Sequence, residues 1–304
     1  MATVKTTKES CFKLKHLPSL IKEAAINWTK DDPLRLSAVV AYFALMSLPG
    51  LLLIVFSILN FFWKNEMVEG EIYGQIESAL GASAADTIES IFTKASENKT
   101  SWLSAIIGIG ALVIGATGVF FHLQISINRI WNLKSDPKNG FVKYLIDRTK
   151  SFGFVLIIGF LLLISFVVSA LLKLLGGYLA IWLPDVAYHF LLIGEILVSL
   201  GVVSVLFALI FKYLPDVIIG WRSVWVGALI TAVLFTLGKE LLSFYFGFSS
   251  PDNVYGAAGS VIIILLWVTY SCLILFFGAE FTWVYTKRYG YKMKPKSYAM
   301  FVDQ

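Results

Sequence analysis

Charged residues are scarce in this 304-residue sequence. They make up 15% of the chain, whereas 58% of its residues are hydrophobic and the mean hydropathy is +0.77. A soluble globular domain carries about 25% charged residues, so a chain this apolar cannot hide its hydrophobic surface inside a water-facing globule. The composition excludes a soluble enzyme or scaffold and indicates a protein with several membrane-spanning helices.

Cysteine and histidine are also rare. Cys11 lies in a polar N-terminal segment and Cys272 in an apolar stretch, so we expect neither a disulfide nor a zinc site. The three histidines, His16, His122 and His189, fall at different depths or on different sides of the predicted membrane. The sequence contains no HExxH, GxSxG, P-loop or paired-carboxylate pattern. It therefore predicts a protein that is not an enzyme and that needs neither a cofactor nor a metal ion.

Long apolar runs recur along the chain. At 1.5 Å per helical residue, about 20 residues cross a hydrocarbon core of ~30 Å. We predict an all-α, polytopic membrane protein with a six-helix domain in residues 36–286. A basic segment 1–35, without a signal-peptide core, precedes it, and a basic tail 287–304 follows it. The predicted spans are 37–63, 102–121, 151–172, 188–211, 224–246 and 256–284.

The positions of lysine and arginine orient these spans. The segments before span one and after spans two, four and six carry seven, six, two and five basic residues, whereas the three other loops carry three, one and none. Because basic residues favour the cytoplasmic side, both termini are predicted to be cytoplasmic. The basic side would face anionic inner-leaflet lipids, which accounts for the net charge of +5 without a nucleic-acid partner.

Two polar segments contain apolar residues at helical spacing. Residues 64–101, which carry seven acidic side chains, are predicted to form one or two amphipathic helices on the outer face. A second helix is predicted to start near Leu17-Pro18-Ser19. Its apolar residues are Leu20, Ile21, Ala24, Ala25 and Trp28. This helix either lies on the membrane surface or packs as an arm against the bundle, and the sequence leaves both open.

Small residues recur at steps of three and four between Gly108 and Gly118 in span two. Such a face lets a neighbouring helix approach closely, so it predicts a contact with another helix or with a second copy in a homo-oligomer. His122 and Arg129 continue the same face and are candidates for polar contacts. For His122 a hydrogen bond to a neighbouring helix is favoured over a functional role.

Charged residues inside the predicted spans are candidates for function, because placing a charge in a membrane span costs several kcal/mol of free energy. Glu195 and Lys239 have opposite signs and lie at matching depth, about 10 Å inside the outer end. With Glu240 they predict either a polar site for an anionic headgroup or a proton, or a structural ion pair. Glu280 lies about 10 Å from the cytoplasmic end, and we expect it to reach that surface or to pair with a loop Lys or Arg.

Several short motifs follow one another in a distinctive order. They are Ala41-Tyr42-Phe43-Ala44-Leu45-Met46-Ser47-Leu48-Pro49-Gly50, Asn128-Arg129-Ile130-Trp131, Tyr213-Leu214-Pro215-Asp216, Gly227-Ala228, Gly238-Lys239, Tyr255-Gly256-Ala257, Leu266-Trp267 and Gly278-Ala279-Glu280. Together they resemble the YihY/BrkB family, over about residues 20–287. The resemblance implies a six-helix protein of the bacterial inner membrane. Family members have been mislabelled as ribonuclease BN, and others are linked to serum resistance or to movement of envelope lipid and lipopolysaccharide.

The resemblance supplies no catalytic site, and the polar motif residues Arg129, Asp216, Lys239 and Glu280 are candidates only. The leading hypothesis is a non-enzymatic membrane protein that transports or handles an amphipathic or anionic substrate, such as an envelope lipid. The alternative is a structural or partner-docking membrane protein without transport, in which the charges fix helix register. A ribonuclease is disfavoured, because metal-dependent cleavage needs clustered carboxylates and the predicted cytoplasmic loops are short and basic.

Overall fold

The computed structural model describes residues 14–62, 102–135, 184–249, 259–291 and 293–302, with the isolated positions 153, 161, 168 and 175. Six α-helices lie within these ranges after a short 3-10 helix, Leu14–His16. They are α1 (Leu17–Lys30), α2 (Pro33–Phe62), α3 (Trp102–Ile130), α4 (Pro184–Tyr213), α5 (Trp221–Ser249) and α6 (Gly259–Arg288). The predicted outer loop 64–101 and nearly all of the predicted span 151–172 lie outside the described residues.

Contacts divide the chain into two compact units. The first comprises Met1–Asp31, Gln124–Thr236 and Leu275–Gln304, and the second comprises Asp32–Leu123 and Leu237–Ile274.

Three of the described helices are long and apolar enough to cross a membrane. Their apolar windows among the described residues are Ile196–Tyr213, Trp221–Leu242 and Val261–Arg288. In α2, the part with described side chains, Pro33–Ser47, is also apolar and falls within the first predicted span and its approach. Leu197 and Phe244 are 62% and 76% exposed, as lipid-facing side chains are. These helices agree with a membrane protein, whereas the count of six spans and the cytoplasmic termini stay predictions.

Helix α1 packs one face against α6. Leu20 and Ala24 are fully buried, and Pro18 in the first turn does not interrupt the helix because the first turn needs no N–H donor. Three side chains of α6 complete this apolar cluster: Phe281, Val284 and Tyr285. Elsewhere on its surface, α1 exposes Ile21 and Ile26. The helix is therefore an arm packed on the bundle, and its exposed face keeps apolar residues suited to a membrane surface.

Polar contacts hold the N-terminal part of α1 in place. The Arg288 guanidinium lies 2.6 Å from the Glu23 carboxylate and donates a 3.1 Å hydrogen bond to the Ser19 hydroxyl. Just before α1, His16 Nδ1 and the Tyr289 hydroxyl form a 2.8 Å hydrogen bond. These contacts fasten α1 to the C-terminal end of α6.

Helices α5 and α6 cross where each carries a glycine four residues before a threonine. A Cβ at Gly227 would overlap the Thr282 hydroxyl, and a Cβ at Gly278 would overlap the Thr231 hydroxyl. Each threonine hydroxyl donates a 2.7 Å hydrogen bond to the glycine carbonyl of its own helix. The reciprocal order makes the two helices antiparallel here, and the close approach of their backbones depends on the missing glycine side chains.

The C-terminal tail forms two short strands, although the sequence predicts only a basic tail on an all-α protein. Strand β4 (Ala299–Phe301) pairs antiparallel with β1 (Leu133–Ser135). Strand β3 (Lys294–Pro295) pairs antiparallel with β2 (Val217–Ile218). Strands of two or three residues are too short to show the alternating hydrophobicity by which strands are recognised in a sequence. The tail is thus an ordered part of the first unit.

In the second unit, the small-residue face of α3 packs against α2. A Cβ at Gly115 would lie 2.5 Å from the Ser47 Cβ, and one at Gly118 would overlap the Phe43 ring. His122 stacks on the same ring, with 4.8 Å between ring centroids. This part of the face is therefore occupied within the chain. The surroundings of Gly108 lie outside the described residues, so a homo-oligomer or helix partner there stays a prediction.

Candidate functional site

A buried aspartate in the turn after α4 is the centre of a polar cluster in the first unit. Asp216 is 0% exposed. Its carboxylate accepts hydrogen bonds of 2.5–3.1 Å from four side chains: Gln124, Asn128, Ser135 and Tyr298. The Lys296 ammonium lies 3.7 Å from Oδ1, and the Asp216 backbone N–H donates a 2.9 Å hydrogen bond to Asn128 Oδ1. The charge of the buried carboxylate is thus neutralised and solvated by the protein itself.

Three parts of the fold bring these groups together. Gln124 and Asn128 lie four residues apart on α3, so their amides project from one helix face. The pairing of β1 with β4 places Ser135 near the tail. In the tail, the Lys296 backbone N–H donates to the Asp216 carbonyl at 3.0 Å, and its ammonium donates to the Pro215 carbonyl at 2.7 Å. The cluster ties α3, the turn and the tail together.

This arrangement suits a structural role better than substrate binding. A carboxylate offers about four lone-pair sites, and the four side-chain donors occupy them, with the Lys296 ammonium beside them. The sequence motifs include Asp216 but give no sign of Ser135, Lys296 or Tyr298. The available signal was the pair of amides, Gln124 and Asn128, at helical spacing at the end of an apolar helix.

Glu280 occupies a different kind of place. It lies within the apolar window of α6 and is 2% exposed. The Asn27 side-chain amide, on α1, donates a hydrogen bond to its carboxylate, and the charged groups near it are Asp31, Lys287 and Glu23. The structure therefore corrects the expectation that Glu280 reaches the cytoplasmic surface, because α1 lies over it.

The basic side chains nearest Glu280 in sequence are engaged elsewhere. The Lys287 ammonium lies 4.4 Å from the centroid of the Trp283 ring, and Arg288 pairs with Glu23. Among the residues that the structure describes, no ion pair within 4.0 Å includes Glu280. The carboxyl group is thus solvated by an amide and is near two other acids.

Trp28 follows Asn27 on α1, and its indole is the next side chain that contacts α6. It packs edge-on against Phe277 of α6, with 6.1 Å between ring centroids. Its Nε1–H is buried and has no hydrogen-bond partner in the described structure. A buried donor without a partner costs free energy. The Trp28 N–H can therefore donate a hydrogen bond to a polar group that enters between α1 and α6.

Asp31 ends α1, where its backbone N–H donates to the Trp28 carbonyl at 3.2 Å. Burial raises the pKa of its carboxyl group, and the positive charge of Arg129 partly lowers it again. Arg129, a predicted candidate, is exposed on α3. In the structure its positive charge acts on the Asp31 carboxyl group at the end of α1.

Lys239 and Glu240 form an ion pair with each other. Lys239 Nζ lies 3.4 Å from Glu240 Oε1, and their side chains are 47% and 69% exposed. The sequence analysis placed Lys239 at matching depth with Glu195, and in the structure both charged groups of the Lys239–Glu240 pair are exposed. The side chain of Glu195 lies outside the described residues, so the Glu195–Lys239 contact stays a prediction.

Comparisons with known proteins show the family of this chain. A family model described as Virulence factor BrkB matches residues 24–300. UPF0761 membrane proteins of Alteromonas mediterranea and Pseudoalteromonas atlantica are 30% and 28% identical, covering 83% and 85% of this chain and 83% of each relative. A UPF0761 membrane protein of Haemophilus influenzae is 25% identical, covering 81% of this chain and 87% of the relative. No solved structure matches the chain. The family match begins within α1, covers the five helices that follow and ends within β4, and the chain belongs to the Virulence factor BrkB family of membrane proteins.

Proposed function

We propose that this membrane protein transports or handles an amphipathic or anionic substrate, such as an envelope lipid, and that Glu280 meets its polar group. The observation that carries the proposal is the burial of the Glu280 carboxyl group inside α6, at 2% exposure. An ionisable group in a membrane span is costly and is usually retained for a ligand or an ion pathway. Here its described contact is an amide, Asn27, rather than a basic side chain.

The surroundings of Glu280 favour a headgroup that can donate hydrogen bonds. Two acids, Asp31 and Glu23, and one base, Lys287, are the charged groups near Glu280, and the acids repel phosphate or carboxylate groups that approach them alone. Hydroxyl and ammonium groups, by contrast, donate hydrogen bonds to carboxylates. Among the proposed substrates, an amphipathic lipid with hydroxyl or amine groups therefore fits Glu280 better than a simple anion does.

Helix α1 acts as the cover of this site. Asn27 contacts Glu280, and Trp28 packs on α6 beside it. Besides the buried apolar cluster at Leu20 and Ala24, α1 is held by polar contacts that are partly exposed, such as Arg288–Glu23, and exposed ion pairs contribute only about 0–1 kcal/mol. A substrate reaches Glu280 when α1 moves away from α6. In this proposal the protein lies in a bacterial inner membrane with both termini in the cytoplasm, and it acts without a cofactor.

A second candidate is a structural membrane protein without transport. The saturated hydrogen bonding of Asp216 supports this alternative, as does the tight crossing at Gly227 and Gly278. Both features rigidify the first unit. Under this alternative Glu280 only fixes the position of α1 through Asn27.

Transbilayer lipid movement in reconstituted vesicles separates the two candidates. The purified protein is placed in liposomes with phospholipids that are labelled on an acyl chain and keep their native headgroups, and the movement of label between leaflets is followed. We expect protein-dependent movement that Glu280→Gln slows about tenfold, equivalent to ~1.4 kcal/mol. Asp32→Asn, at an exposed carboxyl group, is the matched control and should leave the rate unchanged. Absence of protein-dependent movement for every lipid class, or full activity of Glu280→Gln, would contradict the proposal.

A further inference from the structure

The face of α1 that packs against α6 continues to a tryptophan. Trp28 follows the buried residues Leu20 and Ala24 at steps of four, so all three lie on one side of α1. Its indole contacts Phe277 of α6 edge-on, whereas its buried Nε1–H has no hydrogen-bond partner in the part of the chain that the structure describes. The contact between the two helices therefore contains a donor that the described protein does not use.

A buried acceptor lies close to this donor along both helices. Phe277 and Glu280 are three residues apart, so they share a side of α6 and differ by about 4.5 Å along its axis. On α1, Asn27, whose amide donates to the Glu280 carboxylate, directly precedes Trp28. The Trp28 N–H and the Glu280 carboxylate thus border the same stretch between α1 and α6. A headgroup that enters there meets an acceptor on α6 and a free donor on α1.

We infer that the headgroup bound between α1 and α6 is a polyol, and that Trp28 selects for its hydroxyl groups. The inference rests on the proposed function, in which Glu280 meets the polar group of the substrate. A hydroxyl group both donates and accepts hydrogen bonds. One hydroxyl of a polyol therefore donates to the Glu280 carboxylate, while a neighbouring hydroxyl accepts from Trp28 Nε1–H. Glycerol and sugar headgroups both present hydroxyls on adjacent carbons in this way.

Trp28 and Glu280 together discriminate against other headgroups. An ammonium group donates to a carboxylate but has no lone pair to accept with, so it leaves the Trp28 N–H buried and unpaired. A phosphate without hydroxyl groups accepts from Trp28 but brings a negative charge toward Glu280, and like charges repel. Hydroxyl and amine headgroups both suit Glu280 alone, and the indole donor favours the hydroxyl.

The test measures lipid binding to the purified protein in detergent by native mass spectrometry. Phosphatidylglycerol and phosphatidylmethanol carry the same charge, and only the first has headgroup hydroxyls. Phosphatidylethanolamine carries an amine instead. We expect phosphatidylglycerol to bind about tenfold more tightly than either of the others, as two hydrogen bonds allow. Trp28→Phe keeps an aromatic ring and removes the N–H, so it should weaken phosphatidylglycerol binding about fivefold, as the loss of one hydrogen bond does.

Controls separate selection by Trp28 from general effects of the substitution. Trp225→Phe, at an exposed tryptophan of α5, is the matched control and should keep the preference for phosphatidylglycerol. The melting temperature of Trp28→Phe without added lipid checks that the variant is folded, and the comparison of lipids on the native chain needs no variant. Glucosyl diacylglycerol, a polyol lipid without phosphate, shows whether a sugar or glycerol is the better source of the hydroxyls.

The outcomes distinguish this inference from the proposed function. Equal binding of phosphatidylglycerol and phosphatidylmethanol to the native chain, or tighter binding of phosphatidylethanolamine, would overturn the inference. A preference that Glu280→Gln removes and Trp28→Phe leaves intact would also overturn it, while keeping the proposed site at Glu280. A preference that Glu280→Gln leaves intact would contradict that site itself. Selective binding without any lipid movement in liposomes would contradict transport alone, because the binding measurement does not depend on transport.

Discussion

The ammonium group of Lys296 lies 3.7 Å from a carboxylate oxygen of the fully buried Asp216. The two residues are 80 positions apart in the sequence, and the contact joins the C-terminal tail to the turn after α4. Breaking a buried ion pair by removing one partner is costly, because the remaining groups lose both their charge partner and their hydrogen bonds. The tail is therefore a stabilising element of the first unit.

Asp216→Ala should destabilise the protein strongly. The substitution leaves four donors, two of them buried and two part-buried, without their acceptor and the Lys296 ammonium without its partner. We expect a loss of about 3–5 kcal/mol, seen as a large fall in melting temperature in detergent. Asp32→Asn, at an exposed aspartate, should change the melting temperature little. Similar melting temperatures for Asp216→Ala and the native protein would refute the structural role of the cluster.

Gly227→Ala and Gly278→Ala should separate α5 from α6. Each new Cβ would overlap the facing threonine hydroxyl, Thr282 or Thr231, and overpacking of this kind costs about 1–3 kcal/mol. The control is Gly201→Ala in α4, where a Cβ would meet no atom within 4 Å. Because alanine favours helix over glycine by about 1 kcal/mol, Gly201→Ala should keep or raise the melting temperature. A crossing that tolerates alanine at both glycines would show that the helices are not held by this close approach.

The apolar helices could be predicted from the sequence because the bilayer permits few backbone structures. A spanning segment must satisfy its own hydrogen bonds, so a long apolar run predicts a helix. The run predicted as span 224–246 accordingly lies within α5, Trp221–Ser249, and the run 256–284 overlaps α6, Gly259–Arg288. Helix α5 begins at Trp221, three residues before the predicted span, and α6 continues to Arg288, four residues beyond it, because polar residues at these ends continue the helix beyond the hydrocarbon.

The contacts between distant residues could not be predicted in the same way. Asp216 and Tyr298 share a 3.1 Å hydrogen bond across 82 positions, and no local period relates them. The glycine and threonine of each helix are visible in the sequence at a spacing of four, but which helix faces which is decided by the packing. The hydropathy pattern predicts the depth of Glu280 in its span. Its contact with Asn27, by contrast, depends on how α1 folds back onto α6.

The raised pKa of Asp31 predicts a pH-dependent contribution to stability. Because burial raises the pKa in the folded protein, the folded state keeps a proton at a pH where the unfolded chain, with a pKa of about 3.9, has lost it. Raising the pH above that value therefore lowers the free energy of unfolding. Asp31→Asn removes this loss, so its melting temperature should equal that of the native protein below about pH 4 and exceed it increasingly toward neutral pH.

Arg129→Gln provides the matched variant for this effect. The Arg129 charge lowers the pKa of Asp31 and so opposes burial. Without it, the loss of stability attributed to Asp31 should extend to higher pH. A difference between Asp31→Asn and the native protein that stays constant from about pH 4 to about pH 8 would show that Asp31 does not titrate in this range.

Locking α1 onto α6 tests whether α1 is the cover of Glu280. Glu23 and Arg288 pair across the two helices and are partly exposed, so Glu23→Cys with Arg288→Cys can be joined by a flexible, reducible thiol reagent in a chain with Cys11→Ser and Cys272→Ala. We expect the cross-linked protein to lose lipid movement about tenfold, or ~1.4 kcal/mol in the barrier, and to regain it on reduction.

The control for this experiment is Asp32→Cys with Arg35→Cys. Asp32 comes just before α2, and Arg35 lies within α2 three residues later. The same reagent therefore joins these two positions without linking α1 to α6. Its lipid movement should not change. If the lock between α1 and α6 leaves lipid movement intact while the cross-link is complete on a gel, substrate reaches its path without displacing α1. Glu280 would then be a buried structural residue. The protein would have no polar site that α1 covers and uncovers.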